Sequence, residues 1–145
     1  MTVIDVRTAA DGDAPRIDEL RRRAAAEAVG RRGGAEHLRW DTHERPDGTL
    51  TLVGTCDGVV LAYAVVQQDG TLARLHELFT EPRARGVGLG HALLGEATAR
   101  AAAWGCDGLD SVALPGDRST KNFFEAHGLR ARLLTVHRSV APDDR

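Results

Sequence analysis

Hydrophobic and polar positions change rhythm several times along the chain, and each change marks an element. Val3 to Arg7 alternates apolar and polar, as a short half-buried strand does. Ala10-Asp11-Gly12-Asp13-Ala14-Pro15 then reads as a helix start, because proline loses nothing by lacking an N–H in a first turn. Ile17, Leu20, Ala24 and Ala28 recur at intervals of three and four, which predicts an amphipathic helix ending near Gly30. Residues 31–48 are polar, with Leu38 and Trp40 as their only large apolar groups, and read as a loop carrying at most one short helix. Strand-like runs follow at Thr49–Cys56, Val59–Val66 and Thr71–Thr80, separated by Asp57-Gly58 and Asp69-Gly70. Turns that short join antiparallel neighbours, so the three runs predict a meander. The middle run is apolar throughout, as in a strand buried on both faces.

Leu89, Leu93, Ala97, Ala101 and Trp104 mark a second helix, closed by Gly105. Leu109–Leu114 reads as a strand broken by Pro115-Gly116-Asp117, Ser119–His127 as a short helix stopped by Gly128, and Leu133–Val140 as a last strand before the charged tail Asp143-Asp144-Arg145. The predicted order is therefore β-α-loop-β-β-β-α-β-α-β. A chain of 145 residues without repeat, low-complexity tract or linker fits one domain, 1–145.

Composition narrows the classes of function. Hydrophobic residues at 42% and charged residues at 28% are ordinary for a globular domain with a core, which excludes wholesale disorder. The formal charge of −2 argues against a nucleic-acid partner, whose binding domains carry a basic footprint. Residues 1–48 hold nine Arg against ten acids, so the clusters Arg21–Arg23 and Arg31–Arg32 read as a solvated face. Cys56 and Cys106 lack metal or redox spacing and suit a reducing compartment. No apolar run approaches membrane-spanning length, and Met1 leads straight into strand-like sequence, so neither a membrane nor a secretory route is expected and the expected location is cytoplasmic. The six His are scattered without metal-ligand spacing, so no metal is expected.

The chemistry-bearing segment runs from strand into helix: Phe79-Thr80-Glu81-Pro82-Arg83-Ala84-Arg85-Gly86-Val87-Gly88-Leu89-Gly90. Glycines at 86, 88 and 90 let a ligand approach the backbone, and the following helix offers unpaired N–H groups and a positive dipole end. Together they suit a phosphate or pyrophosphate, and Arg85 adds a cation. The only Lys, Lys121, does not fit a P-loop, and the glycine spacing does not fit a dinucleotide fingerprint. What remains is Arg/Gln-x-x-Gly-x-Gly/Ala, met by Arg85, Gly88 and Gly90.

That motif, with Thr80-x-Pro82 before it and Ala92-Leu93-Leu94 after it, resembles the acetyl-CoA signature of the GNAT superfamily of N-acetyltransferases. Asp117-x-x-Thr120-x-x-Phe123-Phe124-Glu125-x-x-Gly128-Leu129 is similar to the late pattern of that family, and the element order matches too. The resemblance implies an α/β (α+β) fold: a mixed, mostly antiparallel central sheet with two splayed parallel strands, flanked by helices. It also implies transfer of an acyl group from acetyl-CoA, as co-substrate, to a primary amine attacking directly in a ternary complex. Backbone groups of Phe79 and Thr80 would hold the pantetheine arm and thioester, amides of Arg85, Gly86, Val87, Gly88, Leu89 and Gly90 the pyrophosphate, and Phe124 would line the arm.

Two positions depart from the family. Phe124 stands where members often carry a tyrosine that protonates the thiolate, and Asp117 stands in place of Asn, bringing a negative charge near the cofactor arm. The only tyrosine, Tyr63, lies mid-strand and reads as core. Candidate bases are Glu77 and His76, which regular strand alternation would send to opposite faces, Glu77 with Ala73, Leu75 and Phe79. Acceptor selectivity is expected from the end of the first helix and from residues 31–48, where Glu36, Asp41, Glu44 and Asp47 interleave with Arg31, Arg32, Arg39 and Arg45. The expected partners are acetyl-CoA and an amine, with a homodimer compatible with the family. Loss of the tyrosine also leaves room for a catalytically weak or regulatory acyl-CoA-binding module that works through a protein partner.

Overall fold

A computed structural model describes residues 2–41 and 48–142. Its strands are β1 (Ile4–Thr8), β2 (Thr49–Cys56), β3 (Val59–Asp69), β4 (Leu72–Thr80) and β5 (Gly108–Asp110). Its helices are α1 (Ala14–Val29), α2 (Gly34–Trp40), α3 (Leu89–Ala103) and α4 (Arg118–Ala126). The strands lie side by side in the order β1-β2-β3-β4-β5, antiparallel up to β4 and parallel between β4 and β5. This is the mixed, mostly antiparallel sheet expected from the sequence.

The helices cover the two faces of the sheet. Ile17 and Leu20 of α1 meet Val53, Val60, Tyr63, Val65 and Phe79 on one face. On the other, Leu89, Leu93, Leu94, Ala97 and Ala101 of α3 meet Leu52, Ala62, Ala64, Val66, Ala73 and Leu75. Leu20, Leu52, Ala64 and Leu93 are fully buried, and each leucine of this kind contributes about 1.5–3 kcal/mol of transfer free energy. Burial on both sides accounts for the uninterrupted apolar run in β3.

The start of α1 follows the predicted chemistry. Pro15 stands in its first turn, and the Asp13 carboxylate accepts the Ala10 amide at 2.7 Å while pairing with Arg7 at 2.6 Å. The polar stretch after α1 folds back as α2, and Gly34 there meets the C-terminal end of α1. A Cβ on Gly34 would fall 1.7 Å from the Ala28 carbonyl oxygen, a backbone atom that cannot step aside. Gly34→Ala should therefore part α1 from α2 at a cost of about 2–3 kcal/mol. Thermal unfolding should show a midpoint about 8 °C lower; an unchanged midpoint would mean this contact is dispensable.

Three expectations need correction. The strand predicted over Leu109–Leu114 pairs with β4 only as far as Asp110. The strand predicted over Leu133–Val140 does not form. Without a neighbouring strand its backbone has no ladder to join, and Leu133, Leu134, Val136 and Val140 are all exposed. Arg132 ties the start of this segment to Asp110 and Trp40 stacks on His137 at 4.7 Å, which are its side-chain anchors among the described residues.

The third correction concerns strand faces. Asp69 to Val66 pair with Leu72 to Leu75 in the register of a tight hairpin, but Val65 pairs with Glu77, so His76 is an extra residue on β4. Such a bulge inverts the alternation beyond it. Ala73 and Leu75 face α3, whereas Glu77 and Phe79 turn to the α1 face, where Glu77 meets Tyr63. His76 reaches Gln67 on that same face. The two candidate bases are thus on one side of the sheet.

Candidate active site

Where β4 and β5 part company, the molecule opens. Parallel pairing ends at Arg74 and Asp110, and the Ser111 hydroxyl donates to the Leu75 carbonyl at 2.9 Å as the last link across the fork. Beyond it a cleft of about 1050 Å³ runs between residues 76–80 of β4 and residues 111–114. Arg21, Ala24, Ala25 and Ala28 of α1 form one wall, and Thr120, Phe123 and Phe124 of α4 form another. That volume lies in the range of sites that hold cofactor-sized ligands.

One end is the glycine-rich turn. Ala84 and Arg85 close a 3-10 turn by donating their amides to Glu81 and Pro82. None of the amides of Gly86 through Gly90 donates to a protein acceptor among the described residues. Gly86 and Gly88 have φ of +90° and +97°, and Gly88 is the residue from which α3 departs. A row of open amides at a helix start is an arrangement that suits an anion. Next to it, His91 on the first turn of α3 lies 2.8 Å from His127, whose Nδ1 donates to the Phe123 carbonyl.

The sequence candidates can now be placed. Phe79, Thr80, Arg85, Gly86, Gly88, Leu89, Gly90 and Phe124 all line the cleft, as do His76 and Glu77. Val87 does not; its side chain is exposed outside. Arg85 plays a different part from the one expected of its cation. Its guanidinium holds both Glu27 oxygens at 3.0 Å, donates to the Thr80 carbonyl and lies over Phe79. It braces β4 against α1, and its amide is engaged as well. Asp117 also proves to be structural: it caps α4 by accepting the Thr120 amide and hydroxyl, and Arg31 stands 3.6 Å away. Its charge is matched inside the protein.

At the other end Glu77 is the centre. Its carboxylate accepts from Arg21 Nε and from the Tyr63 hydroxyl, both at 3.0 Å. Burial pushes the Tyr63 phenol well up, and the Glu77 charge pushes it further, so it stays a donor. His76 Nε2 lies 2.7 Å from the Gln67 side-chain oxygen. Tyr63 is buried, as its mid-strand position suggested, yet its hydroxyl reaches the cleft. Sequence reasoning missed this role and missed Arg21. The signal for Arg21 was present: it precedes Ala24, Ala25 and Ala28 by three, four and seven residues, on one helical stripe. Of the charged residues named for selectivity, Arg31 lines the cleft, joined by His37 and Leu38, while Arg32, Glu36, Arg39 and Asp41 do not, and Glu44, Arg45 and Asp47 lie outside the described residues.

Glu81 fixes this geometry just beyond Thr80. Its buried carboxylate receives Arg16 at 2.6 Å, Arg23 at 2.8 Å and Arg83 at 2.8 Å. Burial alone would raise this carboxyl, but the arginine hydrogen bonds outweigh it and hold it below its usual range. A carboxyl whose folded pKa is depressed adds stability above its unfolded pKa of about 4.3 and loses it as the pH falls through the folded value. Glu81→Gln should therefore cost about 1–2 kcal/mol at pH 7, with the gap to wild type closing below about pH 4. Denaturant titrations at pH 7 and pH 3.5 would show it; a gap independent of pH would sink the assignment.

A row of open amides and a carboxylate thus share one cleft at the fork of two parallel strands. The model of the acetyltransferase (GNAT) family matches residues 14–129, and the chain belongs to this family. Among solved structures, the aminoglycoside N-acetyltransferase AAC(6')-Iy in complex with CoA superposes with a TM-score of 0.71 at 15% identity, covering 97% of each chain. A Bacillus halodurans protein superposes with a TM-score of 0.76 at 15% identity, covering 94% of this chain and 99% of that one. A Trypanosoma brucei acetyltransferase gives 0.69 at 19% identity over 95% and 100%. No curated protein sequence matches significantly. No helix among the described residues is long and apolar enough to cross a membrane, and none of their side chains forms a group that could hold a metal ion.

Proposed function

We propose that this protein transfers the acetyl group of acetyl-CoA to a primary amine by direct attack within a ternary complex. The observation that carries this reading is the row of open amides from Gly86 to Gly90 at one end of a cleft whose other end holds Glu77. The residues fit the co-substrate: the amides and the α3 dipole suit a pyrophosphate, and the fork between β4 and residues 111–114 suits an extended arm. Bound there, acetyl-CoA would supply an activated thioester. Phe79 and Thr80 would lie along the arm, and Phe124 would cover it with an apolar ring.

Glu77 is the group assigned to the amine. Its carboxylate can hold an ammonium and take its proton directly or through one water, with His76 as the second candidate. Phe124 carries no proton to donate. A thiol of ordinary pKa, about 8.5, leaves tolerably as thiolate near neutral pH, so turnover does not require one.

Two measurements test this. Acetyl-CoA should raise the thermal midpoint, because a ligand of the native state must, and a panel of amines should release free thiol. Failure to bind acetyl-CoA at millimolar concentration would end the proposal. Binding without thiol release for any amine would favour the alternative that Phe124 motivates, an acyl-CoA-binding module acting through a protein partner.

A further inference from the structure

The charges on the cleft wall cancel. Glu77 is paired with Arg21, Glu27 with Arg85 at 3.0 Å and with Arg31 at 3.6 Å, and Asp117 with Arg31 and the first turn of α4. Three carboxylates meet three guanidiniums among the described lining residues, which leaves no surplus of negative charge for a polycationic amine. The one pair at the Glu77 end presents its charges side by side. Arg21 spends Nε and Nη2 on Glu77, lies over the Tyr63 ring at 5.6 Å, and keeps 46% of its side chain exposed. Among the described residues its Nη1 has the exposed Asp18 carboxylate at 3.9 Å, too far to occupy it as a hydrogen-bond donor.

A wall that offers a carboxylate and a guanidinium in contact is complemented by a ligand whose ammonium and carboxylate sit equally close. Ammonium would pair with Glu77 and carboxylate with Arg21, each charge meeting its opposite while the existing bridge persists. An α-amino acid has both groups on one carbon. Its side chain would then lie toward Ala24, Ala25 and Ala28, small apolar residues that leave room and offer no charge. Resting on the acetyltransferase reading above, we infer that the acceptor is a free α-amino acid with an uncharged side chain, selected through Arg21.

The test compares matched amines under saturating acetyl-CoA: L-leucine against isopentylamine, L-phenylalanine against phenethylamine, and spermidine and kanamycin as polycations. Each amino acid should exceed its decarboxylated partner in kcat/KM by tenfold or more, since one charge-assisted contact is worth about that factor. Arg21→Gln should erase the preference: loss of its bond to Glu77 lowers turnover of both members of each pair alike, while KM rises for the amino acid and not for its decarboxylated partner. Arg21→Lys, which keeps the charge, should retain part of it, and unchanged acetyl-CoA binding by both variants would show that they fold. Faster turnover of spermidine, kanamycin or the decarboxylated amines would overturn this inference and leave the acetyltransferase reading intact. Acetyl-CoA binding with no turnover of any amine would overturn both.

Discussion

Glu77→Gln should lower kcat with the best amine about a hundredfold or more while leaving acetyl-CoA affinity unchanged. The size follows from what a positioned general base contributes, about 10²–10⁴-fold. The substitution keeps the shape of the side chain, and the amide oxygen can still accept from Arg21 and the Tyr63 hydroxyl, so the wall should hold. What disappears is the charge that pairs with ammonium and the lone pair that takes its proton. Tyr63→Phe provides the contrast. With its phenol kept protonated by burial, Tyr63 only donates to Glu77, so its loss should cost far less than the loss of the carboxylate. Single-turnover rates alongside acetyl-CoA titration calorimetry separate the two effects. A wild-type kcat in Glu77→Gln would move the proton to His76, and His76→Gln should then carry the loss.

How far these roles could be read from sequence depends on register. Elements with a strong period were legible: α1 from Ile17, Leu20, Ala24 and Ala28, the meander from its two Asp-Gly turns, and the turn into α3 from glycines at alternate positions. The bulge at His76 was not. A tight Asp69-Gly70 hairpin pairs Val66 with Leu75, and extending that register would set Tyr63 opposite Leu78, leaving Glu77 on the α3 face. One inserted residue sets Tyr63 opposite Phe79 instead and brings Glu77 diagonally across from it, within hydrogen-bonding reach. No residue type announces such an insertion, because its cost and its return lie in long-range packing against α1. Leu133–Val140 failed for a related reason. Its apolar content suits a strand, but a strand also needs a partner, and β5 ends at Asp110.

Gly88→Val should weaken acetyl-CoA binding about a hundredfold, and the cause lies in the backbone more than in crowding. A Cβ at position 88 would meet only Ile4 Cδ1, at an ordinary 3.7 Å, so space is available. Conformation is the obstacle. Gly88 holds φ +97° and ψ 9°, where a β-branched residue is a steric outlier costing about 1–3 kcal/mol. The chain can relieve that strain by turning φ negative, but this reorients the open amides on either side of residue 88 relative to one another. Losing one or two charge-assisted hydrogen bonds of about 1.5–3 kcal/mol each gives the hundredfold figure. If the strain is borne instead, stability falls and affinity survives, so unfolding and binding must be measured on the same sample. Gly95→Ala is the matched control. It sits inside α3 with nothing within 4 Å of the added methyl, so it should stabilise the helix by up to about 1 kcal/mol and leave binding alone. Unchanged affinity with no loss of stability in Gly88→Val would mean that the turn has relaxed without effect on the ligand, so that the anion site does not lie there and the orientation of the whole co-substrate along the fork would have to be reversed.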